Sequence, residues 1–173
     1  MFVLESFKGK RSDLPRPSRK RGGKAVKRGL SAEQIPIVVV RDRHGATFDT
    51  VLPKLNRASM AAALGDVLAG AETFCCDGGK SIVAFARGAC LSVHVLPAPG
   101  APRPDAPQFH INNVNGYHSR FKEWMRRFHG VGTKNLPNYL GWRRALEALG
   151  AEASPSRWLL GSVGLGPYQQ RSL

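Results

Sequence analysis

Asp77 stands in the run Cys75-Cys76-Asp77-Gly78-Gly79, at the end of a short apolar segment. A carboxylate at a strand end, with small neighbours on both sides, leaves room for a ligand to approach. An Asp that merely opens the turn before a helix would look the same. The second set of chemically capable residues lies between His110 and Gly130. Asn115, Ser119, Lys122 and Arg126 recur there at steps of three and four. On an α-helix that spacing stacks an amide, a hydroxyl and two cations along one face. Such a face can hold an anionic ligand, and it can equally be a solvated basic surface. Periodicity does not choose between the two.

The elements that must position these residues are read from the same periodicities. Val114, Tyr117, Phe121, Trp124 and Phe128 form an apolar stripe at helical spacing opposite the polar face, so this helix has a side to bury. Earlier in the chain, Met1 to Phe7 suits a strand, and Lys8 to Arg28 carries ten basic residues against Asp13 alone, broken by Pro15, Pro17, Gly22 and Gly23. With no apolar period, residues 8–30 read as a basic loop or extended arm whose like charges repel without a polyanion. Ile35 to Arg41 is a β-branched run, followed by a turn at Arg43-His44-Gly45 and a second strand from Ala46 to Leu52. Together they predict an antiparallel hairpin. An alanine-rich helix is expected from Ser59, as N-cap, to about Leu68, with Gly70 as its stop. Then follow a strand over Thr73 to Cys76, a helix over Ser81 to Arg87, a strand over Ser92 to Leu96 and a Pro-rich connector over Pro97 to Pro107. Beyond the long aromatic helix, another is expected over Pro137 to Leu149, with Trp124 and Trp142 on buried faces. Residues 150–173 show no strong period and read as a loosely attached tail. The order predicts one domain over residues 1–149, of the α/β class, with a mixed sheet and helices packed on its faces.

Charge is the dominant compositional fact. The 173 residues hold 26 Lys plus Arg against 12 Asp plus Glu, a formal net charge of +14 and a pI near 10.6. The resulting positive field attracts polyanions, nucleic acid first among them. A membrane partner is not expected. The chain has no span of about 20 apolar residues, no broad greasy amphipathic helix and no signal-peptide core, and so it reads as intracellular. Cys75, Cys76 and Cys90 lack zinc or disulfide spacing and read as buried, reduced thiols. His44, His94, His110, His118 and His129 show no zinc spacing either. Gly79-Lys80-Ser81 ends like a phosphate-binding loop, but that motif needs Gly where Phe74 stands.

Several of these pieces together carry a resemblance. Asp77-Gly78 at a strand end, the run from His110 to Tyr117, then Lys122, with Tyr139 and Trp142 further on, resemble the catalytic core of bacterial insertion-sequence transposases of the DDE superfamily. The likeness is to the ISXO-type branch, whose acidic positions run D, D, N with a following K. The segments IPIVVVRDRHGAT, CDGGKS and HINNVNGYHSRFKEWMRRFHGVGTKNLPNYLGWRRAL carry it, over most of residues 1 to 149. The resemblance implies an RNase H-like fold and a cytoplasmic protein at the nucleoid. It also implies cleavage and strand transfer on DNA, with transposon ends and target as partners and a homo-oligomer formed on DNA. Asp77 matches the second catalytic Asp, Asn115 the third position and Lys122 the lysine beyond it. The cofactor implied is Mg²⁺ or Mn²⁺ in a two-metal site, with Asp77 and Asn115 as ligands and Lys122 against a phosphate. Arg19, Lys20, Arg21, Lys24, Lys27, Arg28, Arg126, Arg127 and Lys134 are then the candidate DNA-binding cations. The family's first Asp lies on the first strand, ahead of a segment like FVLESFKGKR, and is not among these residues. A truncated copy, cleaving poorly or not at all, is therefore expected. A non-enzymatic, basic nucleic-acid-binding protein is the alternative that charge alone supports equally.

Overall fold

A computed structural model describes residues 1–8, 12–17, 25–27, 31–96, 104–150 and 153–162. Its centre is a three-stranded antiparallel sheet of β1 (Phe2–Leu4), β2 (Gln34–Arg41) and β3 (Thr47–Val51), in that spatial order. Phe2 pairs with Pro36 and Leu4 with Gln34 on one side of β2, and Ile37 pairs with Val51 and Arg41 with Thr47 on the other. The unbroken apolar run of β2 has a direct cause. Ile35, Ile37 and Val39 point into one hydrophobic cluster, while Val38 and Val40 point into another. A strand covered on both faces cannot alternate with polar residues.

The first cluster is closed by α3 (Asn112–Arg126) and α4 (Leu136–Leu149). Tyr117, Phe121, Trp124, Leu136 and Leu140 are buried there against Ile37. The i, i+3, i+4 stripe therefore turns inward as its spacing requires, and each such side chain contributes roughly 1.5–3 kcal/mol relative to exposure. The second cluster lies on the other face of the sheet, under α1 (Arg57–Leu64) and α2 (Lys80–Gly88), where Met60, Leu64 and Phe85 join Leu52. Between α1 and α2 comes β4 (Thr73–Cys76), and after α2 comes β5 (Ser92–Val95), paired in parallel with β4. Phe74 and Val93 attach this β-α-β unit to the second cluster.

Several expectations need correction. The strands form two hydrogen-bonded groups, β1-β2-β3 and β4-β5, where a single mixed sheet was expected. All three residues of β1 pair with β2, and no ladder joins β1 to β4. The cap of α1 is Asn56, whose side chain accepts the Ser59 N–H at 2.8 Å. Ser59 thus supplies the third amide of the first turn, and the asparagine three residues earlier takes the capping role. Within the expected tail, Pro155–Ser162 forms a further helix, α5, that packs on α4. Residues 151–152 and 163–173 lie outside the described set. Finally, Trp142 is 49% exposed and Cys90 is exposed. Trp142 meets Trp124, Phe128 and Tyr139 with ring centroids 5.1, 5.7 and 6.0 Å away, so its ring packs on one side and is open on the other. Cys76 is buried as expected and Cys75 is half-buried.

Candidate functional site

Asp77 follows β4 directly, and its Oδ1 accepts the Gly79 N–H at 3.3 Å, closing a short turn before α2. Gly78 adopts φ +79°, and a Cβ there would lie 2.9 Å from Val95 Cγ1. Only glycine meets both conditions, so the exposed Asp77 is presented by a backbone that cannot be substituted freely. On α3, Asn115 is half-buried while Ser119, Lys122 and Arg126 are exposed. The polar face thus looks away from the aromatic core, as the spacing requires.

His118 is what links the strand end to the helix. It follows Asn115 by three positions and precedes Lys122 by four. Its pKa falls from the ordinary 6.5 to about 4, first through burial, then through the positive charges of the Met1 amino group and Lys122, with Asp77 opposing. The Met1 amino group donates to the Ile37 carbonyl at 2.8 Å. It is lowered to about 6 by burial and then by Lys122, and Asp77 again opposes. Asp77 and Lys122 therefore act on the same two groups. One neighbourhood gathers the end of β4, the start of β1 and the polar face of α3. His118 Nε2 is buried without a hydrogen-bond partner, and the ring is neutral at pH 7, with a nitrogen lone pair available.

The donors present are a carboxylate, a side-chain amide on the same helical face and a neutral imidazole. They suit a single divalent cation better than two. One carboxylate, Asp77, acts on both His118 and the Met1 amino group. Among the described residues no group of three or more His, Cys, Asp or Glu side chains is placed to hold a metal ion.

The cations singled out from sequence fall in several places. Arg19, Lys20, Arg21, Lys24 and Arg28 lie outside the described residues. Lys27, Arg126, Arg127 and Lys134 are exposed. Arg126 pairs with Glu123 at 2.6 Å, and both side chains are mostly solvated, so that pair contributes little. The entry to the basic arm is tied to the end of α3. Lys8 Nζ donates to the carbonyls of Phe128 and Gly130 at 2.8 and 2.9 Å, and the Thr133 N–H donates to the Ser6 carbonyl at 2.7 Å. Tyr139 lies in the aromatic group beside Trp124, away from solvent on one side.

Two features escape a reading from sequence. His118 entered the sequence reading only as a histidine without zinc spacing, since histidine on a helix carries no signal of its own. The other is a hub on Glu147, which accepts from Arg41 at 2.6 Å, Arg120 at 2.7 Å and Arg143 at 2.8 Å. Burial would raise the Glu147 pKa, but hydrogen bonds from Arg120 and Arg41 outweigh it and hold the carboxyl at about 2. Beside it the buried Asp49 accepts from the Tyr117 hydroxyl and from Arg144. Nothing in the spacing of these residues marks them as neighbours.

Comparison of the chain with family models, with curated proteins and with solved structures finds no match to any.

Proposed function

We propose that this chain is the core of a DDE-type insertion-sequence transposase, RNase H-like in fold, that binds DNA and by itself cleaves it weakly or not at all. The observation that carries the reading is the common neighbourhood of Asp77, His118 and Lys122 on the helical face that bears Asn115. The antiparallel three-stranded sheet and the parallel β-α-β unit are compatible with the α/β class to which such a fold belongs. The net charge of +14 suits a DNA partner. In this reading Asp77, with the Asn115 amide oxygen, holds a Mg²⁺ or Mn²⁺ ion, and Lys122 faces a backbone phosphate. The ion supplies Lewis-acid activation at a phosphodiester. The protein's own contribution is to orient the phosphate through Lys122 and to keep His118 neutral beside it. A second carboxylate, from the first strand in the resembling family, is needed for full activity.

The alternative is a nucleic-acid-binding protein without phosphoryl-transfer activity, which the net charge of +14 supports equally well. Mn²⁺ titration followed by NMR separates the two readings. Transposase ancestry predicts paramagnetic broadening of the His118 and Asn115 side-chain signals, removed in Asp77→Ala. Unaffected signals leave the binding-only reading. A supercoiled-plasmid nicking assay with Mg²⁺ or Mn²⁺ is expected to show weak cleavage at most. Robust nicking that Asp77→Ala abolishes would prove the donor set complete.

A further inference from the structure

The arginines around Glu147 line a cleft remote in chain position from Asp77. One part, of about 470 Å³, lies between the β2–β3 turn and the helices α4 and α5, with Arg41, Arg144, Glu147 and Arg157 in its walls. A second, of about 300 Å³, runs from the same turn to the start of α3 and is lined by Arg41, Arg43, Asn112, Asn113 and Arg120. Arg41, His44 and Gly45 border both, so the two parts adjoin at the hairpin turn.

Charge in this cleft is unbalanced. Among the described residues Glu147 is the one carboxylate in its walls, against five arginines, Arg41, Arg43, Arg120, Arg144 and Arg157. Glu147 already serves Arg41, Arg120 and Arg143 together, and Arg144 is engaged by Asp49. Arg43 donates to the Gln108 carbonyl at 2.5 Å and meets the His110 ring at 2.9 and 3.0 Å, and among the described residues it meets no carboxylate. Guanidinium groups held side by side with too few carboxylates suit anionic oxygens presented in pairs, as on a phosphodiester. Arg120 is positioned for this: a Cβ at Gly116 would come within 3.1 Å of its Nη1, so the bare glycine lets the guanidinium lie along the helix. Asn112 and Asn113, both exposed, add amide donors where α3 begins, and no side chain caps that helix start.

We infer that this cleft is a second nucleic-acid site, which seats the phosphodiester backbone of a strand on the flank of α3 away from Lys122. On α3, Asn112, Gly116 and Arg120 recur at steps of four, turned about a quarter of the helix from the row of Asn115, Ser119 and Lys122. The inference rests on the preceding reading only for the class of polyanion. Metal-free binding therefore tests it independently of any cleavage at Asp77. Two adjoining cavities around a turn suit successive phosphates of a strand, and a single small anion would occupy only one of them.

The experiment is fluorescence-anisotropy titration of a labelled DNA duplex in EDTA, at several salt concentrations. The variant Arg43→Ala/Arg120→Ala removes two cleft cations, the first exposed and the second with its side chain 49% exposed. Lys54→Ala/Arg87→Ala removes two exposed cations from the α1 and α2 side and controls for net charge. The cleft variant is expected to bind about tenfold more weakly and to lower the salt slope by roughly two, whereas the control changes little. Equal losses in both variants mean that net charge alone acts, and they overturn the cleft. Displacement of the duplex by millimolar pyrophosphate at constant ionic strength shows a small-anion pocket and overturns the strand site. If the double variant unfolds, Arg157→Ala on the rim carries the test, with an expected loss of about threefold; no loss there sinks the proposal.

Discussion

His118 shows how a side chain with ordinary chemistry becomes informative through its surroundings. In the folded protein it titrates near 4, against 6.5 for the free side chain. As pH falls, the unfolded chain therefore takes up a proton first. This contribution leaves stability intact above pH 6.5, and stability is lost between 6.5 and 4. His118→Phe is expected to flatten the thermal-melting profile across that window. Lys122→Ala removes a positive charge that lowers the His118 pKa, so NMR titration should move the midpoint upward, and Asp77→Asn should move it downward. An unchanged midpoint in both variants would separate the three side chains and remove the basis of the candidate site. Asp77 and Lys122 were recognisable from sequence because each follows a local rule, a strand end and a helical step. His118 was not, because its perturbation comes from burial and from charges on other elements.

Among the elements, α4 does more than close the core. Glu147 near its end holds Arg41 of β2, Arg120 of α3 and Arg143 of its own helix. The Glu147 side chain is only 17% exposed. Neutralising it strands three guanidinium groups at a crowded junction, and breaking a buried pair costs about 3–5 kcal/mol. Glu147→Gln should therefore lower the unfolding free energy by roughly 3 kcal/mol, read as a lower urea midpoint at unchanged slope. The sign with pH is opposite to that of a raised carboxyl. Because the folded pKa lies near 2 and the ordinary value is 4.5, this stability is full above pH 4.5 and lost as pH falls toward 2. The helix itself was legible from Pro137 and the apolar steps that follow. Its partners were not, since Arg41 and Glu147 stand 106 residues apart in the chain. Helix α5 was missed for a related reason. Ser154 and Pro155 open it, but the eight residues Pro155–Ser162 are too few for a period to rise above the Gly and Ser around them.

For the whole molecule, 26 cationic side chains against 12 acidic ones make self-repulsion a standing cost of compactness. Raising NaCl from about 50 to about 300 mM should screen it and raise Tm by a few degrees, and a fall would point instead to the inter-element pairs around Glu147 as the dominant electrostatic effect. The same charge makes a polyanionic partner legible without any structure, because net charge is additive along the chain. Local geometry was legible too. A β-branched run from Ile35 to Val40 can only be a strand covered on both faces, and the steps from Val114 to Trp124 can only bury one side of a helix, because side-chain direction repeats every two or 3.6 residues whatever the rest of the chain does. Which buried face meets which, and which charges come together, are not periodic properties. The separation into two hydrogen-bonded sheets, the convergence of Asp77 with His118 and Lys122, and the arginine cleft around Glu147 all depend on packing between distant segments. Tertiary structure decided those.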